Sequence, residues 1–142
     1  MQIFRRPSAR DVRRLLSAAT LPLDDLTPEH LEHFFGCGAQ DATLGVGGVE
    51  LHGRDALLRS LAVDEQARGQ GCGKALVAAL EAHAHAEGAR RIYLLTTTAA
   101  RFFERLGYRG VTRDMAPDAI RAAPEFAALC PASAAFMVKD LG

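Results

Sequence analysis

Apolar positions along this chain recur with a helical period in some stretches and in continuous or alternating runs in others. Val12, Leu15 and Leu16 follow Ser8 at helical spacing, which predicts a helix over 9–19 with Ser8 as its N-cap. Leu21-Pro22-Leu23 breaks that helix. Thr27-Pro28-Glu29 then reads as cap, first-turn proline and first-turn acid of a short second helix. Further on, Leu76, Val77, Leu80 and Ala84 share one face of a predicted helix over 74–87. Ala99, Phe102, Phe103 and Leu106 do the same for a short helix that a threonine can cap and Gly107 can end.

The remaining apolar runs read as strands. A first edge strand is predicted over 3–6, and others over 34–37, 43–51, 56–63 and 92–98. Glycines at 45, 47 and 48 weaken their strand and mark a bulge or a close backbone approach. The tail predicts a strand over 110–113, helical turns over 117–121 and 124–129, and a last strand over 134–138. The order is strand, two helices, a three-strand meander, helix, strand, helix and a strand-rich tail. This predicts a mixed α/β fold, a mostly antiparallel central sheet flanked by helices.

Composition narrows the class. At 142 residues the chain reads as one domain spanning 1–142. Lysine plus arginine and aspartate plus glutamate both total 17, which gives no electrostatic reason to expect nucleic acid or an anionic membrane. No apolar run approaches the roughly 20 residues of a membrane span, and the N-terminus lacks the apolar core of a signal peptide. Three cysteines without metal-ligand spacing fit a reducing, cytoplasmic setting rather than a disulfide framework.

The candidate chemistry begins at Arg68-Gly69-Gln70-Gly71-Cys72-Gly73-Lys74, between the strand over 56–63 and the helix after it. Glycine admits positive φ and close approach, and a helix start offers unpaired N–H groups and the positive dipole end. The combination suits a phosphate or pyrophosphate. Two familiar motifs fail. A P-loop would need glycine at Arg68 and a hydroxyl residue at Ala75; a dinucleotide fingerprint would need glycine at Lys74 or Leu76. What fits is Arg-x-x-Gly-x-Gly at Arg68, Gly71 and Gly73, directly after Leu61-Ala62-Val63. This resembles the acyl-coenzyme A signature of the GNAT N-acetyltransferase superfamily. Phe102-Phe103-Glu104-Arg105-Leu106-Gly107-Tyr108 resembles that family's Phe-Tyr-Glu-x-x-Gly-Phe. Leu57 to Val63, Thr97 to Phe103 and the tail residues Glu125, Phe126, Leu129, Cys130, Pro131, Ser133, Ala134 and Met137 resemble its arsenic-resistance branch.

The resemblance implies a GNAT fold, acetyl-CoA as cosubstrate and a small-molecule amine as acceptor, including an amino-acid-like, arsenical or phosphinate toxin. It implies that the backbone of Ala62 and Val63, beside Leu61, holds the pantetheine arm. It implies that Gly69, Gln70, Gly71, Cys72, Gly73 and Lys74 cradle the pyrophosphate with help from Arg68, and that Thr98, Phe102 and Phe103 complete the cofactor site. Phe103 stands where many members carry a tyrosine acid, so the usual donor is missing; Tyr108 reads as core.

Glu50 is a candidate general base through water, or a half-exposed strand carboxylate. Arg59 is a candidate anchor for an acceptor carboxylate, or a strand-surface charge. His30 and His33 have a metal-like spacing but no third ligand is evident, so no metal is expected. His52 reads as exposed, and His83 and His85 as surface or boundary residues. Cys72 reads as loop structure, and Cys130 as a buried thiol or a contact for a soft arsenical. Residues 115–131, with Phe126 and Leu129 three apart, form either an apolar lid over the acceptor or plain core. Two rivals stand beside the enzyme of small amines: an acyl-CoA-binding module without turnover, and an acetyltransferase of protein N-termini or lysines. A homodimer is left open.

Overall fold

The computed structural model describes residues 2–129 and 132–142, the side chains of 128 and 129 excepted. Strand β1 (Ile3–Arg5) leads into helix α1 (Ala9–Ala18). Ser8 caps α1 as predicted, its hydroxyl accepting the Asp11 N–H at 3.1 Å. Helix α2 (Pro28–Glu32) starts at Thr27, which exchanges bonds with His30 in a reciprocal capping arrangement. Then come β2 (Phe34–Ala39), β3 (Ala42–His52) and β4 (Asp55–Val63), followed by helix α3 (Cys72–Ala86). The second half holds β5 (Arg91–Thr96), α4 (Ala100–Arg105), β6 (Arg109–Gly110), α5 (Asp118–Ala122) and β7 (Ala135–Asp140).

Among the described residues seven strands form one sheet in the order β1-β2-β3-β4-β5-β7-β6. Every pairing is antiparallel except β4 with β5. Alternation along the strands sorts the core into two layers. Phe35, Leu58 and Leu94 face α3 and α4, where they meet Leu76, Val77, Leu80 and Phe103. Phe34 faces the other way, against Val12 and Leu16 of α1. Leu57 and Tyr93 pack with Ile120 of α5 and Phe136 of β7. The glycines of β3 mark both features that the sequence left open. A Cβ on Gly45 would lie 2.5 Å from Cys72 Sγ, and one on Gly48 would lie 2.3 Å from the Phe34 ring. Close packing on both faces therefore requires them to be small.

The tail departs from expectation. The strand predicted over 110–113 is only two residues long, although the Val111 N–H still donates to the Phe136 carbonyl at 2.9 Å. Arg113–Met115 winds into a 3-10 turn that delivers Ala116 to the core beside Ile120. Glu125–Leu129 forms a π-helical turn. Strand β5 ends at Thr96 rather than at 98, and α4 has no side-chain cap: Ala99 is its N-cap, and Thr96 Oγ1 accepts the Ala99 N–H instead. Gly107, at φ +98°, ends α4 as predicted. Among the described residues no helix is long and apolar enough to cross a membrane.

Candidate active site

Parallel pairing between β4 and β5 runs from Asp55 with Arg91 to Leu57 with Tyr93 and then stops. Beyond that point the two strands part, and a cavity of about 1060 Å³ opens between their C-terminal halves. A bulge in β4 shapes one wall. Its pairing with β3 slips between Arg59 and Ala62, and Ser60 takes a left-handed φ of +59°. Such a conformation is uncommon for a residue with a Cβ and marks strain held by the surrounding structure.

Leu61, Ala62, Val63, Arg68, Gly69, Gly73, Thr98, Phe102 and Phe103 all border this cavity. Gln70, Gly71, Cys72 and Lys74 do not line it. Gly71 is nonetheless the N-cap of α3 at φ +88°, with no side-chain cap, and Gly69 is left-handed at φ +81°. A Cβ at either position would meet nothing within 4 Å, so their backbone geometry, rather than crowding, calls for glycine. The first-turn N–H groups of α3, at Cys72, Gly73 and Lys74, have no partner within the helix and carry its positive dipole end. These features fit a pyrophosphate. Cys72 needs a correction at the side chain: it is buried beside Cys37, and burial followed by a bond to Cys37 pushes its thiol up to about 12. It contributes backbone to the turn and packing to the core.

Phe103 is buried at the cavity wall, edge-on to Phe102 and Tyr108. Tyr108 is core, as read from sequence. Burial, together with Glu81, raises its pKa, and its hydroxyl donates to Glu81 Oε2 at 2.9 Å. Glu81 also takes Lys139 at 2.9 Å, so this phenol is committed to a structural network away from the cavity.

Both expectations for Arg59 need correcting. It lines the cavity yet is 2 % exposed, so it is no surface charge. Its Nη1 donates to Asp25 Oδ2 and, at 2.9 Å, to Glu50 Oε2. Its Nη2 donates to Asp25 Oδ1 at 2.8 Å and its Nε to Ser60 Oγ at 3.0 Å. Glu125 Oε2 lies 3.6 Å from Nε. Burial opposes the guanidinium charge, but Asp25, Glu125 and Glu50 outweigh it and hold Arg59 firmly protonated. The bond from Arg59 in turn keeps Asp25 below the usual carboxylate range, against the effect of burial. Arg59 is thus surrounded by the protein's own carboxylates and is not a free anchor for an acceptor carboxylate.

Glu50 is also not where it was expected. It is 7 % exposed rather than half-exposed and faces a second, smaller cavity of about 370 Å³ with His30, His33 and His52. His52 lies 3.0 Å from Glu50 Oε1, and His30 lies 3.7 Å from Oε2. His30 and His33 border the same small cavity but have different partners. His33 pairs with His83 at 3.0 Å, and His83 is kept below its usual range by burial, Arg5 and His33. Asp25, His30 and Glu50 bring ligand-type atoms within 4.8 Å of one another, with both carboxylates already engaged by Arg59.

Sequence reasoning missed Asp25, and it named Glu125 only as part of a tail motif, with no role in the site. Glu125 is 6 % exposed, lines the main cavity and has no hydrogen-bond partner for Oε2 among the described residues. Burial pushes its pKa up to about 7, opposed by Arg59 and reinforced by Glu50 and Asp25. Apart from that motif, the sequence signal is a carboxylate in an otherwise apolar turn. Of the predicted lid, Phe126 is half-buried, packs edge-on against Phe136 at the margin of the core and is absent from the cavity wall. Cys130, Pro131 and the side chain of Leu129 lie outside the described residues.

Comparison with known proteins agrees with this geometry. The Acetyltransferase (GNAT) domain family matches residues 30–110, more than half of the chain. The chain therefore belongs to the GNAT acetyltransferase family. An uncharacterized N-acetyltransferase of Chlorobaculum tepidum, CT2212, is 32 % identical over 93 residues, which are 65 % of this chain and 59 % of that protein. N-acetylglutamate synthase from Neisseria gonorrhoeae, solved with coenzyme A and N-acetyl-glutamate, superposes with a TM-score of 0.82 at 20 % identity, covering 99 % of this chain and 35 % of that one. Rv2747 from Mycobacterium tuberculosis, solved with CoA, gives 0.80 at 21 % identity with 99 % of both chains covered. The chain thus spans about three fifths of the curated relative and about a third of the synthase. The likeness to the solved structures is one of fold.

Proposed function

We propose that this protein is an acetyl-CoA-dependent N-acetyltransferase of a small amine. The observation that carries this reading is the cavity between the parted halves of β4 and β5. It has the glycine turn of α3 along its border and buried charged groups, Arg59 and Glu125, in its wall. Acetyl-CoA supplies the activated acetyl group. The chain's part is to orient and to exclude water. Exposed N–H groups at the start of α3 take the pyrophosphate. The backbone of Ala62 and Val63, freed from β5 by the splay, holds the pantetheine arm. It also offers N–H groups to the thioester oxygen as charge develops there. Holding amine and thioester in attack geometry supplies several kcal/mol of the barrier reduction.

No side-chain hydroxyl is offered at Phe103, and Tyr108 is tied to Glu81. A thiol with a pKa near ~8.5 is a fair leaving group without such a donor. The arsenic-resistance branch rests on sequence motifs alone, and we take only the wider class of small amines from it. The test is calorimetric titration with CoA, followed by thiol release from acetyl-CoA across amino acids, their arsenic and phosphorus analogues, and polyamines. CoA binding with amine-dependent thiol release is expected. CoA binding without release from any amine identifies a binding module. Absence of CoA binding removes the reading altogether.

A further inference from the structure

We propose that Glu125 receives the ammonium of the acceptor and takes its proton, and that the acceptor is a cationic amine that carries no carboxylate. This deepens the acetyltransferase reading above and rests on it. Three observations carry it. Glu125 is a buried carboxylate in the cavity wall, and its Oε2 has no hydrogen-bond partner among the described residues. Desolvated charge of this kind gains most from an ammonium that brings N–H donors into the cavity.

Second, Arg59 is the buried cation at this end of the cavity, and it is taken. Its bonds to Asp25, Glu50 and Ser60 leave no parallel pair of N–H groups with which to grip another carboxylate. Third, the local charge is negative. One guanidinium faces three carboxylates, Asp25, Glu50 and Glu125. Asp24 lines the same cavity, while His30 and His52 adjoin Glu50 on its far side. Arg113 sits over the Phe126 ring, and Arg68 borders the cavity near the glycine turn. Of these carboxylates Asp24 and Glu125 line the cavity itself, so an acceptor carboxylate would lie beside them with the Arg59 guanidinium already engaged.

The raised pKa of Glu125, about 7, suits a group that must pick up a proton near neutral pH and release it again. In the step itself, an alkylammonium gives one proton to the Glu125 carboxylate. The freed nitrogen lone pair attacks the thioester carbon, the C–N bond forms, and the C–S bond breaks as its electrons leave with the thiolate. The second nitrogen proton goes to the thiolate sulfur, leaving amide and thiol. Glu125 then returns its proton to solvent.

The experiment uses a matched pair, 1,4-diaminobutane and ornithine, which differ by one carboxylate. Binding of each to the CoA-loaded protein is measured by calorimetry, alongside kcat/KM with acetyl-CoA as a function of pH. The diamine is expected to bind at least tenfold tighter and to react with at least tenfold higher kcat/KM. Glu125→Gln should keep its CoA affinity, lose tenfold or more in diamine affinity, and lose the ascending limb of the pH profile near neutrality. Its rate should fall about a hundredfold or more. Equal or better binding of ornithine by the parent overturns the proposal, as does a Glu125→Gln protein that keeps diamine affinity and the ascending limb. If the variant does not fold, the parent's choice between the pair decides. A parent that fails to bind CoA defeats the acetyltransferase reading and this proposal with it. A parent that binds CoA but prefers ornithine defeats the proposal alone.

Discussion

Replacing Glu125 with glutamine preserves volume and removes a charge, so it tests how the protein tolerates that carboxylate. Loss of water is the largest influence on Glu125 and raises its pKa from 4.5 to about 7, with Arg59 opposing and Glu50 and Asp25 adding. A carboxyl with a higher pKa in the folded chain binds more protons when folded than when unfolded. Folding is therefore penalised progressively as pH rises from about 4.5 to about 7, and the penalty is complete above that window. This is the reverse of the usual salt-bridged carboxylate, which stabilises as pH rises. The displacement corresponds to about 3 kcal/mol at alkaline pH. Glutamine carries its own cost of burying an amide, but that cost does not titrate. Urea unfolding of parent and variant at pH about 4 and about 8.5 isolates the titrating part. Between those conditions the variant should gain about 3 kcal/mol on the parent. The same stability difference at both pH values would refute the claim that Glu125 is held in a water-poor, carboxylate-rich site.

Three further outcomes are expected. Gly71→Val forces a β-branched residue into a φ of +88°, so CoA affinity should fall at least tenfold in calorimetry while the fold survives; unchanged affinity moves the pyrophosphate elsewhere. Phe103→Ala should cost about 3–5 kcal/mol in denaturant melts, because the ring is buried between Phe102 and Tyr108, whereas Phe103→Tyr should keep thiol release. Phe126→Ala should lower stability by about 3 kcal/mol without altering the ranking of acceptor amines, since the ring packs on Phe136 outside the cavity wall; a changed ranking at parental stability would restore the lid.

The parts of this protein that are legible in sequence are those written in local periodicity. Helix α3 and its glycine turn combine a strand, an N-terminal motif and an apolar stripe within about thirty residues, and the structure follows that reading. Caps at Ser8 and Thr27 are equally local. The charge network is different in kind. Asp25, Glu50, Arg59 and Glu125 come from a loop, two strands and a tail turn, and no short-range pattern links them. Arg59 and Glu50 draw attention only as charges in apolar strands; their pairing follows from the β3–β4 register and the bulge at Ser60. The tail was hardest because its turns are short and held by packing on β7 and α5 rather than by their own propensities.

Strand β7 lies between β5 and β6, although it is the last of the three to be synthesised. During vectorial synthesis the β1–β4 meander and α3 can assemble while β5 still shows a bare edge of N–H and C=O groups. Leu94 and Leu95 lie on that edge, a pairing template for another nascent chain until residues 135–140 emerge and seat against it. The same late insertion sets β6 beside β7 and closes the aromatic stack of Tyr93 on Phe136. Slow translation, or a chaperone that shields β5, therefore acts on one identifiable seam. A nonsense codon upstream of residue 135 would remove an interior strand rather than trim an edge.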